Sequence, residues 1–156
     1  MPPIHPDTGT HHVGITVSDL DTVLPFYRDV LGLSVAAEFT VAGPELADAI
    51  DVDGANGTFV HLEGEGEGAR NRNRNCRVEL VEFEPAVREV PAAGLNQPGA
   101  THVGLEVGDL EAFDEALPAD VTTLSGPRTT ESGTTIMFLR DPEGNLVEVL
   151  ESDSNN

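Results

Sequence analysis

The sequence predicts an α+β fold made of two tandem βαβββ modules, and three observations carry that expectation. The chain repeats itself: residues 12–20 read His-Val-Gly-Ile-Thr-Val-Ser-Asp-Leu, and residues 102–110 read His-Val-Gly-Leu-Glu-Val-Gly-Asp-Leu, identical at six of nine positions at an offset of 90. The ends of the two halves also correspond, Val78-Glu79-Leu80-Val81-Glu82 matching Val147-Glu148-Val149-Leu150-Glu151 at an offset of 69, so the first half carries 21 extra residues. Each half opens with an alternating β-branched segment, continues with a helical apolar series and closes with three further strand patterns. A chain of 156 residues with 38% hydrophobic content supports a single domain with a modest core. The expected boundaries are a tail at 1–10, one domain at 11–151 and a tail at 152–156. Within the domain, module one covers about 11–84, a linker about 85–100 and module two about 101–151.

The elements follow in order. The opening strands are expected near 11–17 and 101–107. In the first half, Ser18-x-x-Asp21 offers a capping box before Leu20, Val23, Leu24, Tyr27 and Leu31, with Gly32 as the stop. Pro25 interrupts this run, so the regular helix is expected to begin near Thr22, with Pro25 in its tolerant first turn. Phe26 and Tyr27 fit packing into the core. The second helix runs from Asp109 to Leu117 and stops at Pro118. Closing strands are expected near 33–41, 57–62 and 76–84 in module one, and near 121–125, 133–140 and 145–151 in module two. Asp141-Pro142-Glu143-Gly144-Asn145 reads as the turn between the last two. The extra residues supply a short helix from Pro44 to Ile50, with proline at its first position, and a loop from Glu63 to Asn75.

Charge excludes several functions. There are 28 acidic residues against 8 arginines, no lysine, and a formal net charge of −20. A surface at this potential repels phosphates, so neither nucleic acid nor an anionic membrane is an expected partner. No apolar run approaches the ~20 residues that span a bilayer, and residues 1–10 lack the regions of a signal peptide. The single cysteine, Cys76, has no partner for an internal disulfide, which fits a reducing, cytoplasmic setting. Acidic excess without lysine reads as adaptation to high salt, where ions screen self-repulsion.

The repeat singles out four residues. His12 and His102 stand at matched places in the opening strands, and Glu79 and Glu148 at matched places in the closing ones. Each glutamate lies between apolar neighbours, so its side chain points to the opposite face of the strand from theirs. Two modules packed about a pseudo-twofold axis would bring two imidazoles and two carboxylates together. Such a cluster calls for a cation to offset its buried charge. Two nitrogens and two oxygens suit one divalent ion, whether Zn, Ni, Mn, Co or Fe(II).

The segment His12-Val-Gly-Ile-Thr-Val-Ser-Asp-Leu leading to Phe26-Tyr27-Arg28-Asp29-Val30-Leu31-Gly32-Leu33 resembles the opening signature of the vicinal oxygen chelate superfamily. Arg140-Asp141-Pro142-Glu143-Gly144-Asn145-Leu146-Val147-Glu148 resembles its closing one. The superfamily includes lactoylglutathione lyase (glyoxalase), methylmalonyl-CoA epimerase, extradiol dioxygenases and bleomycin-type resistance proteins. The resemblance implies a curved mixed sheet around one metal, with His12, Glu79, His102 and Glu148 on the ligand positions. In the lyase and epimerase branches it further implies a ligand glutamate that loosens to act as base, here Glu79 or Glu148, with Glu148 preferred.

The reaction expected is proton movement on the carbon beside a carbonyl, in a small substrate that chelates the metal through adjacent oxygens. Extradiol dioxygenases with Fe(II) or Mn(II) need two histidines and one carboxylate, so a carboxylate at Glu79 favours proton transfer over oxygen chemistry. A ligand-sequestering protein of the resistance type is the non-enzymatic alternative. Superfamily members build sites within one chain or across two, so a monomer or a homodimer is expected.

Arg70, Arg72, Arg74 and Arg77 form the main positive island; the loop reads first as a solvated tip whose arginines answer neighbouring glutamates, and Arg77 and Arg74 are the candidates to meet an anionic substrate. Arg77 shares a strand face with Glu79, and a salt bridge to a strand neighbour is its alternative role. His11 is expected at the surface, pointing away from His12. His61, in the alternating strand Thr58 to Leu62, is expected away from the cleft, and Cys76 is expected to be a small buried residue.

Overall fold

The computed structural model describes residues 9–65, 76–87 and 94–152. Module one comprises β1 (His12–Val17), α1 (Leu20–Pro25), β2 (Ser34–Ala42), α2 (Pro44–Ile50), β3 (Asn56–Glu63) and β4 (Arg77–Glu84). Module two comprises β5 (His102–Glu106), α3 (Leu110–Ala116), β6 (Thr122–Thr123), β7 (Arg128–Thr129), β8 (Thr135–Arg140) and β9 (Leu146–Glu151). The α+β architecture is thus the one expected, with each module forming its own open, curved sheet. The strand orders are β1-β4-β3-β2 and β5-β9-β8-β6, with β7 also pairing β8. In both sheets the opening strand lies parallel to the closing strand, and the remaining pairs are antiparallel.

The repeat survives at the level of single hydrogen bonds. The first helical N–H groups have no intrahelical acceptor and attract carboxylates. Asp19 caps α1 by accepting from Thr22 N–H, and Asp109 caps α3 by accepting from Ala112 N–H. The Thr22 hydroxyl and N–H hold the Asp19 carboxyl below its usual range. A second carboxylate reaches each helix from the closing strand: Glu82 accepts from Leu20 N–H and Glu151 from Leu110 N–H, both at 2.8 Å. In each closing pentapeptide, therefore, the last glutamate ties strand to helix.

Several expectations are corrected. The cap of α1 is Asp19 rather than Ser18-x-x-Asp21, because Ser18 is taken by Glu143 of module two, whose carboxylate accepts from Ser18 N–H and its hydroxyl. The helix consequently starts at Leu20, and Pro25 ends its regular part. Proline has no N–H to continue the ladder, and the chain widens into a π turn over Phe26–Val30, closed by Leu31 N–H onto Phe26 O. The strand β7 was not expected from its sequence, Arg-Thr flanked by Pro127 and polar residues. Cys76 is exposed rather than buried, one residue before β4 begins at Arg77. The short helix runs from Pro44 to Ile50 as expected, whereas residues 66–75 of the long loop, with Arg70, Arg72 and Arg74, lie outside the described residues.

One core joins the modules. Val23, Tyr27 and Leu80 of module one and Leu110, Leu139 and Val149 of module two belong to the same buried cluster. The turn after β8 locks against the π turn that follows α1: Asp141 Oδ1 accepts from the N–H groups of Glu143 and Asn145, and its Oδ2 from Asn145 Nδ2 and Tyr27 Oη. Burial, then the Asp141 charge, pushes the Tyr27 hydroxyl far above its ordinary value. Among the described residues, no helix is long and apolar enough to cross a membrane.

Candidate metal centre

The face of each sheet away from the core carries the histidine–glutamate couples. Along β4, Val78 and Leu80 belong to the core, so the alternation turns Glu79 outward; along β9, Val147 and Val149 do the same for Glu148. Strand register then sets the partners. Glu79 lies opposite Gly14 and Glu148 opposite Gly104, two residues beyond His12 and His102 respectively. This register explains the glycine of each His-Val-Gly motif. A Cβ at Gly14 would touch Glu79 Oε1 at 3.9 Å, and one at Gly104 would touch Glu148 Oε2 at 3.6 Å, so longer side chains would compete with the carboxylates for space.

His12 Nε2 lies 3.6 Å from Glu79 Oε1, and His102 Nε2 lies 3.2 Å from Glu148 Oε2. Two donors ~2.1 Å from one ion stand ~3.0 Å apart at a right angle and ~3.4 Å apart at the tetrahedral angle. Both couples therefore offer the donor types of neighbouring ligands of a cation; the His102–Glu148 couple stands at ligand spacing and the His12–Glu79 couple slightly wider. Their histidines are 37% and 39% exposed and their glutamates 13% and 19%, leaving an open side toward solvent. The two couples stand on different sheets. Among the described residues, no three His, Cys, Asp or Glu side chains converge as a ligand group within this chain.

His61 departs from expectation. It lies opposite Glu79 on β3, is 9% exposed, and its Nε2 is 2.7 Å from Glu79 Oε2. Its strand alternates, but alternation alone does not say which face meets Glu79; the β3–β4 register does. His11 is exposed as expected, yet its Nδ1 lies 2.8 Å from His12 Nδ1. It precedes β1, so strand alternation does not turn it away. Arg77 shares the Glu79 face and donates through Nε to Glu63 on the neighbouring strand. Beyond His61 the same face becomes apolar: Phe39 and Phe59 stack with centroids 5.3 Å apart, and Phe83 meets Phe59 edge-on. Gly57 makes room for these rings, since a Cβ there would stand 2.7 Å from Phe59 Cε2.

A mixed fold with parallel opening and closing strands in each of two modules, and His–Glu couples in equivalent register, defines a duplicated βαβββ protein with paired metal-type donors. The chain belongs to the Glyoxalase/Bleomycin resistance protein/Dioxygenase superfamily, which it matches over residues 9–149. It is 30% identical over 143 residues to the virulence protein STM3117 of Salmonella typhimurium, an alignment covering 88% of this chain and 80% of that protein. Among solved structures it shares the fold of a glyoxalase family protein from Bacillus cereus, with a TM-score of 0.76, 18% identity, and coverage of 94% and 97% of the two chains. It also shares the fold of the trypanothione-dependent glyoxalase I of Leishmania major, with a TM-score of 0.59, 24% identity, and coverage of 93% and 87%. The antibiotic binding protein TnmS3 of a Streptomyces species has the same fold, with a TM-score of 0.60, 18% identity, and coverage of 96% and 99%. Membership supports a function of glyoxalase, dioxygenase or resistance type.

Proposed function

We propose that this chain is a metal-dependent lyase or isomerase of the glyoxalase/epimerase type. The observation that carries the reading is the second glutamate. Both couples are complete, His12 with Glu79 and His102 with Glu148, whereas a two-histidine, one-carboxylate oxygenase site has no use for a fourth ligand. His12, Glu79, His102 and Glu148 would hold one divalent ion, and the donor set accepts Zn, Ni, Mn, Co or Fe(II). When bound, that ion supplies Lewis-acid stabilisation to the charge that develops on paired substrate oxygens. Glu148 takes the proton from the carbon beside the substrate carbonyl and returns it to the neighbouring carbon. Glu79 stays in place as a ligand. The substrate is a small molecule with two adjacent oxygens.

The open couples on separate sheets favour a homodimer in which each site takes one couple from either chain. In that arrangement, mixing Glu79→Ala chains with Glu148→Ala chains regenerates one intact site per mixed dimer, and recovered metal binding reports it. Metal binding that stays absent after subunit exchange rules out sites shared between chains.

The reaction is tested by solvent deuterium exchange. Metal-loaded protein is incubated in D2O with 2-oxoaldehyde thiol adducts and with acyl-CoA thioesters bearing a 2-carboxyl group, and label at the carbon beside the carbonyl is followed by mass spectrometry. Label lost in Glu148→Gln supports the assignment. No label from any candidate, together with oxygen consumption on catechols, moves the protein to the dioxygenase branch. Tight small-molecule binding that survives chelator and the loss of all four ligands makes it a sequestering protein.

A further inference from the structure

The repeat makes Glu79 and Glu148 equivalent, but their surroundings are not. Across the sheet from Glu79, in register on β3, stands His61; across from Glu148, in register on β8, stands Phe138. The strand pairings are homologous, so histidine in one module occupies the place of phenylalanine in the other. His61 is nearly buried, and its Nε2 meets Glu79 Oε2 at 2.7 Å, an ordinary hydrogen-bond length. A carboxylate only accepts, so Nε2 carries the proton. The other oxygen, Oε1, is the one turned toward His12 Nε2, at the wider 3.6 Å. The two oxygens of Glu79 are thus divided between two imidazoles, Oε2 at hydrogen-bond distance from His61 and Oε1 facing His12 without a hydrogen bond to it. Phe138 has no polar atom to offer Glu148. Its ring packs edge-on against His102, centroids 5.3 Å apart.

We infer that His61 is a positioning residue: it holds Glu79 Oε2 and commits Glu79 to bind a divalent cation through Oε1 alone. Glu148, without such a restraint, remains the carboxylate free to leave its place and carry a proton. The inference rests on the metal-binding reading above and adds to it a residue outside the four ligands. It also gives the inequality of the two glutamates a cause within this chain. The aromatic surroundings support the fixed pose, because the Phe39 ring stands edge-on to His61 at 5.1 Å and limits its rotation.

The test compares wild type with His61→Phe, which copies module two, and His61→Gln, which retains a side-chain N–H donor. Mn(II) affinity is measured by calorimetry, and the carboxylate stretches of Mn(II)-loaded protein by difference infrared spectroscopy. Loss of an outer partner of a ligand weakens metal binding by ~10–100-fold. His61→Phe is expected to show that loss, together with a narrower carboxylate splitting as Glu79 becomes free to bind through both oxygens. His61→Gln is expected to recover most of the affinity. Circular dichroism confirms that each variant is folded, and if His61→Phe is not, His61→Leu takes its place. Wild-type affinity and an unchanged infrared spectrum in the folded variant without a donor would overturn the role of His61 while leaving the four ligands intact. A wild-type chain that binds none of Mn(II), Co(II), Ni(II) and Zn(II) overturns both readings.

Discussion

Replacing Tyr27 by Phe isolates one hydrogen bond between the modules. The ring stays, fully buried, and only the hydroxyl is lost. That hydroxyl donates to Asp141 Oδ2 at 2.8 Å, and Asp141 is itself 4% exposed. A hydrogen bond to a charged acceptor contributes ~1.5–3 kcal/mol, and more of that is lost when the acceptor is stranded. Asp141 is not stranded: Oδ2 keeps Asn145 Nδ2, and Oδ1 keeps two backbone N–H groups. The expected loss therefore lies at the low end, about 1.5–2 kcal/mol. At ~2–4 °C per kcal/mol for a chain of this size, the midpoint should fall by ~3–8 °C. Urea unfolding of both proteins in the same high-salt buffer measures the difference, with the slope of the transition expected to be unchanged. A double-mutant cycle with Asp141→Asn should return a coupling of at least ~1 kcal/mol. A destabilisation below ~0.5 kcal/mol would show that the Tyr27–Asp141 bond contributes little to joining the π turn after α1 to the turn after β8.

Because the chain has a single tyrosine, absorbance at 295 nm reports Tyr27 alone. Its folded pKa is raised, so it contributes stability that is fully present below the ordinary value of 10.0 and is lost as pH rises above it. Alkaline titration should therefore show no tyrosinate in native protein near pH 11, the signal appearing only with unfolding; early, reversible ionisation would contradict the burial. Glu82→Ala and Glu151→Ala each strand a helix N–H, at Leu20 and Leu110, and should each cost ~1–2 kcal/mol by chemical denaturation with similar magnitudes in the two modules. An effect in one module and none in the other would refute the matched roles. With a formal charge of −20, the chain should lose structure in dilute buffer and regain it with salt, followed by circular dichroism. Full folding without salt would remove the reading of salt adaptation.

The module plan was legible because duplication converts one observation into two. A lone glutamate between Val78 and Leu80 is an ordinary strand residue; the same pattern around Glu148, in the same order after a matched histidine, is a constraint that chance seldom meets. Glu82 and Glu151 were equally visible as a repeat, but their work as helix caps depends on how close each closing strand runs to the helix. Ser18 and Asp19 are adjacent and both suit a cap. The choice falls to Asp19 because Glu143, 125 residues away, occupies Ser18. His61 was missed for a related reason. Alternation places it on one of two faces, but only the pairing of β3 with β4 sets it opposite Glu79, and the loop joining them fixes no register from its composition. Long-range pairing, more than local propensity, separates what was readable from what was not.

Metal content addresses the central claim most directly. Wild type, Glu79→Ala and Glu148→Ala are loaded with Mn(II), freed of excess ion and analysed for bound metal per chain. The two couples predict one bound ion per set of His12, Glu79, His102 and Glu148 in wild type, and sharply reduced metal in both variants with the fold retained. Undiminished metal in both would contradict the four-ligand site.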